Sequence, residues 1–281
     1  MLRRAALPDS PPFFTAQDAG FVLGAPPDTK YADPYAVTPT QREAWLSHGY
    51  TVLEDLLTAE QVTAWRAVLD GAVDDRPRRM PMAEDPQNSV VSAMYTQRCG
   101  LRLNSAALNE LVFAASAVAG GAAAQLNDEE RGWRLYLDNV LIKEPWGDPT
   151  RWHVDTFSFG FDSHMTTSFW ITLDDATERN GCLHFLRGSH SVMGSRDTPF
   201  TQAQGGRLAG TPLQHPGGVG DLFSAYPQLS TLEAAPAPVR AGTSTPGSIQ
   251  SIPSVNPHPS VCRGFWSTLC YYSVILYIIM F

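Results

Sequence analysis

From Trp133 onward the chain breaks into short runs rich in β-formers: "WRLYLDNVLIKEPW", "TRWHVDTFSF", "TTSFWITLDD" and "GCLHFL". Turn-formers such as Gly147-Asp148-Pro149 and Asn180-Gly181 separate them. A short strand cannot bury its apolar face alone, so a series of them punctuated by tight turns points to an antiparallel sandwich or barrel. Helical patterns precede the strands and are expected to pack outside them, which makes the fold a β-rich α+β jelly roll with flanking N-terminal helices.

The segment "TPTQREAWLSHGYTVLEDLLTAEQVTAWRAVLDGAV" reads as a short helix, a strand at residues 50–54 and a second helix. Thr58, with Gln61 three residues later, is a capping-box pattern that opens this second helix. Residues 105–124 are Ala-rich and helical, and the Gly120-Gly121 pair should fray or end that helix. Residues 1–38 combine Pro, Ala and Asp without periodicity, as expected of a disordered Pro-rich arm. The folded domain is expected over 39–242, and 243–281 reads as an atypical tail, Pro/Ser-rich and then apolar.

With 281 residues, 43% of them hydrophobic, the chain can bury a large core in one domain. A formal charge of -8 argues against a polyanion partner, because nucleic acid and anionic membranes are held by clustered Lys and Arg. The four cysteines show no CxxC spacing and read as reduced thiols of a cytoplasmic protein. No apolar secretory core follows Arg3 and Arg4.

"RWHVDTFSFGF" carries the chemistry. In a regular strand His153 and Asp155 share a face with Phe157, Phe159 and Phe161. An H-x-D pair is either a core histidine beside a turn carboxylate or two ligands of a 2-His-1-carboxylate iron site, which leaves coordination positions open for chemistry. Lys143, among Val140, Leu141 and Ile142, needs an anionic partner if it points inward; otherwise it is a strand-end lysine beside Glu144. Trp170 lines a pocket or belongs to the core. His184 reads as a packed or rim residue, and His190 as a loop-holding one.

Taken together, "REAWLSHGYTVLEDLLTAEQV", "LIKEPWGDPTRWHVD" and "SFWITLDDATERNGCLHFLRGSH" resemble the phytanoyl-CoA dioxygenase family of Fe(II)/2-oxoglutarate oxygenases, over residues 39–225. The resemblance implies a cupin-like double-stranded β-helix. It makes His153 and Asp155 iron ligands, and Lys143 and Trp170 co-substrate contacts. Fe(II), 2-oxoglutarate and O2 are the implied cofactors, with ascorbate as the reductant in vitro. A carboxylate at Asp155, where related halogenases carry a small residue, implies a hydroxylase that converts 2-oxoglutarate to succinate and CO2. The small or lipid-like substrate would meet a wall built from Phe157 and Phe159.

The family pattern weakens after Gly242. "TSTPGSIQSIPSVNPHPS" has the character of a linker, so the fold is expected to be incomplete at its C-terminal strands. His258, flanked by Pro257 and Pro259, is the candidate third iron ligand, and Arg263 the candidate grip on 2-oxoglutarate. Phe265 to Phe281 is uncharged and is either a short membrane span or a buried strand. Two function classes follow: an oxygenase, or a catalytically impaired jelly-roll binding protein that lacks the third ligand. With its third ligand so poorly framed, the chain is expected to bind iron weakly and to turn over 2-oxoglutarate poorly or not at all.

Overall fold

The computed structural model describes residues 34–74, 96–103, 105–129, 133–143, 150, 152–155, 166–193, 223, 226–248, 253–255 and 271–280. Helix α1 (Pro39–His48) begins at Thr38, which accepts from the Gln41 amide at 3.2 Å while Gln41 bonds back to the Thr38 amide at 2.9 Å. Gly49 ends it in the left-handed region at φ 82°. Helix α2 (Ala59–Asp74) opens on the expected Thr58–Gln61 box, with reciprocal bonds of 2.8 and 3.3 Å. The expected strand at Tyr50 is reduced to isolated bridges, Tyr50 to Gly247 and Leu53 to Ser244.

Helix α3 (Ala106–Asn127) runs through Gly120 and Gly121 without a break, contrary to expectation. Tertiary packing overrides their low propensity: α3 lies buried on the sheet, and a Cβ on Gly120 would meet Trp133 Cβ at 3.5 Å, an ordinary contact. By length and composition α3 could cross a membrane, but half of its most apolar window is buried inside the protein.

The strands are β1 (Thr96–Cys99), β2 (Trp133–Lys143), β3 (Thr166–Thr172), β4 (Leu183–Leu186), β5 (Ala234–Ala237), β6 (Ser244–Ser248), β7 (Pro253–Val255) and β8 (Tyr271–Met280). They form a five-stranded sheet in the order β1-β2-β8-β3-β6 and a three-stranded sheet in the order β5-β4-β7, with antiparallel pairing throughout. A short helix α4 (Ser189–Met193) follows β4, and a 3-10 turn (Pro227–Thr231) precedes β5.

This arrangement corrects the expectation of a sheet incomplete at its C-terminal strands. β8 lies between β2 and β3 and pairs with both, from Tyr271 opposite Lys143 to Ile279 opposite Thr166, so residues 271–280 take the strand alternative. The linker-like composition of the preceding residues also gave strands, because their prolines sit where a ladder tolerates them. The Pro246 carbonyl accepts from Thr51 at 3.1 Å, so the side of Pro246 that lacks an N–H faces the bridged edge segment and not β3. Pro253 is the first residue of β7.

The two faces of the large sheet differ. Val140, Ile142, Phe169, Ile171 and Leu276 join Leu69, Leu108, Val112 and Ala119 of α2 and α3 in one apolar core. On the opposite face Trp170 packs with Leu183, Phe185, Ala237 and Tyr50, and the Tyr50 ring stacks on Phe185 at 4.1 Å. This second core joins the large sheet to the small one.

One glycine holds three elements in register. Gly242 has φ 84°, donates to the Thr172 carbonyl at 2.8 Å and accepts from the Leu57 amide at 2.9 Å. A Cβ there would stand 2.5 Å from the Leu57 carbonyl oxygen and 3.3 Å from Val62 Cγ2. Gly242→Ala is therefore expected to cost about 2 kcal/mol or more, read as a lower urea midpoint with an unchanged m-value.

Candidate active site

β2, in the large sheet, has Lys143 as its last residue. Its residues alternate regularly after an irregularity between Leu135 and Leu137, so Lys143 and Asn139 point away from the helix-facing Val140 and Ile142. Residues directly opposite in an antiparallel ladder share a face, which places Asn139, Ile275 and Trp170 in one cross-strand row. Lys143 is 6% exposed and Asn139 4%, so an ammonium and an amide are buried on the face that looks toward the small sheet. Each has polar company in the fold, as the burial of such groups requires.

His153 and Asp155 lie beyond the end of β2. Residues 152–155 form a bend and not the regular strand expected of them. Side chains two apart on a regular strand are separated by roughly 6.6 Å at their Cα atoms, yet His153 Nε2 and Asp155 Oδ1 approach to 3.5 Å. Val154, 2% exposed, packs with Leu186, Tyr226 and Leu229. With Val154 seated in that cluster, its two neighbours turn away from it toward each other. This seating residue was missed in the sequence; the signal was an apolar residue between the two polar ones.

The pair suits a metal. Two ligand atoms about 2.1 Å from one first-row ion, at 90–110° to each other, stand roughly 3.0–3.5 Å apart. The observed imidazole-to-carboxylate spacing lies at the upper edge of that range, and the side chains keep 31% and 17% exposure, enough to receive an ion. Among the described residues no group of three His, Cys, Asp or Glu converges. The candidate third ligand His258, Arg263, and Phe157, Phe159 and Phe161 lie outside the described residues.

Trp170 shares a face with Lys143 but does not adjoin it. On their common neighbour β8, Lys143 pairs with Tyr271 and Trp170 with Ile275, four residues farther along. Trp170 is 4% exposed and sits among apolar side chains. His184 is half-buried on the opposite face of β4 from Phe185, its Nδ1 3.3 Å from the Cys182 carbonyl oxygen, and burial lowers its pKa. Cys182 is fully buried, and burial pushes its thiol up to about 12, which makes it inert. His190, expected to hold loop backbone, instead has Nε2 3.3 Å from the carbonyl oxygen of Leu46, a residue of helix α1.

The sequence profile of the phytanoyl-CoA dioxygenase (PhyH) family matches residues 45–245, most of the chain, from within α1 through β2, the His–Asp pair, β3 and β4 to the start of β6. The chain belongs to the phytanoyl-CoA dioxygenase family. Membership makes it a non-haem iron enzyme that depends on 2-oxoglutarate, with Fe(II), 2-oxoglutarate and O2 as cofactors. Solved structures share the fold of this phytanoyl-CoA dioxygenase relative at low identity. The non-heme alpha ketoglutarate dependent carbocyclase SnoK from nogalamycin biosynthesis aligns with a TM-score of 0.66 at 18% identity, covering 89% of this chain and 87% of its own. The epimerase SnoN, solved with Fe3+, alpha ketoglutarate and nogalamycin RO, gives 0.60 at 17%, covering 86% and 82%. EctD from S. alaskensis with bound Fe gives 0.57 at 18%, covering 90% and 80%. No curated protein sequence matches the chain.

Proposed function

We propose that this chain is a hydroxylase, which couples conversion of 2-oxoglutarate to succinate and CO2 with hydroxylation of an unactivated C–H bond in a small or lipid-like substrate. The observation that carries the reading is the His153–Asp155 pair, with a carboxylate at the second ligand position and the two donor atoms spaced as ligands of one ion. In this reading the two sheets are the walls of a double-stranded β-helix, an assignment supported by the strand orders β2-β8-β3-β6 and β5-β4-β7.

His153 and Asp155 hold Fe(II) from the protein side, and Lys143 faces a carboxylate of 2-oxoglutarate. His258 and Arg263 complete the site as third ligand and outer-carboxylate grip; they are the only histidine and arginine in the connection between β7 and β8. That connection leads from an edge strand of the small sheet to the central strand of the large one. When bound, the iron supplies the oxidising chemistry. The protein orients the substrate carbon, and Phe157 and Phe159 keep water from it. Carbocyclisation and epimerisation, named for the similar SnoK and SnoN, are alternative fates of the same substrate position.

The test is succinate formation by the intact chain with Fe(II), ascorbate and 2-oxoglutarate, alongside His258→Ala and Arg263→Ala. Turnover that both substitutions abolish is the expected result. Co-substrate binding without succinate would identify an impaired binding protein instead. Lys143→Ala should weaken 2-oxoglutarate binding tenfold or more, because a charge-assisted hydrogen bond is worth about 1.5–3 kcal/mol, and should leave Fe(II) affinity within about twofold. Separate calorimetric titrations of metal and co-substrate check this.

A further inference from the structure

The histidine of the "GSH" turn is not used by the proposed chemistry, yet it closes a contact between distant parts of the chain. Gly188, in the turn after β4, donates to the His48 carbonyl at 2.9 Å, and His190 Nε2 lies 3.3 Å from the Leu46 carbonyl oxygen. Both acceptors belong to the last turn of α1, whose carbonyls have no partner inside the helix. Nε2 therefore carries the proton. Nδ1, the other ring nitrogen, is buried with no hydrogen-bond partner. A neutral imidazole fits this environment, whereas an imidazolium would bury an unsatisfied N–H.

The turn leads directly into α4, and Val192 of α4 packs against the cluster of Val154, Leu186, Tyr226 and Leu229 that seats the His153–Asp155 bend. The contact thus runs from the end of α1, through His190 and α4, to the underside of the candidate iron ligands. We infer that His190 is a positioning residue in an acid-sensitive clasp: neutral, it locks α4 to the end of α1 and supports the His153–Asp155 bend; protonated, it loosens both.

The charged surroundings agree with that sign. From α1 the titratable neighbour is His48, whose charge opposes a proton on His190. From the turn it is Arg187, 3.0 Å from Glu233. Beside the ring, Ser191 offers only a hydroxyl, 3.4 Å from Nε2, and the 3-10 turn that packs on α4, Pro227–Thr231, carries no titratable side chain. Burial, the largest influence, lowers the His190 pKa; the Leu46 carbonyl raises it and His48 lowers it further. A histidine with a lowered folded-state pKa leaves the clasp intact above its unfolded value of about 6.5 and weakens it as pH falls from there toward the folded-state pKa.

The experiment is amide hydrogen exchange on the full chain at pH 7.5 and pH 5.5, corrected for intrinsic exchange, with Gly188 and Gly49 as reporters. In wild type their protection should fall about fivefold on acidification. In His190→Gln, whose side-chain amide can still donate to Leu46, it should change less than twofold. An equal fall in both proteins, or none in wild type, overturns the clasp. NMR titration of the His190 ring in wild type stands independently of whether the variant folds. A ring midpoint below 6.5 shared by the Gly188 amide is expected, and a midpoint at or above 6.5 refutes the inference. Because His184 also titrates low, the global melting temperature is not the readout.

Discussion

Alanine at His153 or Asp155 will lower Fe(II) affinity by about a hundredfold or more and eliminate succinate formation, because either change removes a direct ligand where loss of mere supporting contacts already costs 10–100-fold. The fold itself should tolerate both changes. The two side chains remain partly exposed, and it is Val154 that anchors the bend. The melting temperature of the metal-free variants is therefore expected to stay within about 2 °C of wild type, since surface substitutions fall within about 0.5 kcal/mol. Metal content after dialysis against limiting chelator, together with a metal-free melt, separates the outcomes. Unchanged iron stoichiometry in both variants would remove these residues from the site.

The other large effect is on stability. Trp170→Ala should destabilise the protein by about 3–5 kcal/mol, the cost of removing a buried aromatic side chain from a close-packed core. Trp170 meets Phe185 and Leu183 of the small sheet, so its loss opens a cavity where the two sheets are joined. Trp170→Phe, which keeps most of the ring volume, should recover most of that loss and bind 2-oxoglutarate as wild type does. A tenfold weaker co-substrate affinity in Trp170→Phe at unchanged stability would return this residue to the pocket that the family resemblance implied. Chemical denaturation and co-substrate titration of the two variants decide between these roles.

Much of the framework was legible because it is written locally. Runs of β-formers between turn residues marked β2, β3 and β4, the Thr58–Gln61 box marked the start of α2, and H-x-D within its surrounding motif marked the paired donors. What was not legible depends on partners far away in the chain. "STPGS" looks like a linker, and it becomes β6 only because β3 offers it a ladder and the Pro246 nitrogen faces the other side. Gly120 and Gly121 read as a helix stop because the burial of α3 against the sheet, which offsets their low propensity, is not visible locally. Trp170 is a β-strand tryptophan by sequence alone; only the register shows that it stands four positions from Lys143 and against the opposite sheet. Similarly, composition allowed residues 271–280 to form a strand, but nothing local places that strand between two partners that precede it by roughly a hundred residues or more.

That placement of β8 bears on how the protein is made. On the ribosome, β2 and β3 emerge long before the strand that joins them, and until residue 280 has left the exit tunnel each presents a bare hydrogen-bonding edge beside apolar side chains. The nascent chain can form its helices and the β3–β6 ladder early, but the centre of its main sheet remains open until β8 is available. A stop codon or frameshift anywhere upstream of Tyr271 therefore does not trim a tail. It yields a chain in which β2 and β3 have lost their shared partner, leaving two bare edges that can pair with each other or with a neighbouring molecule.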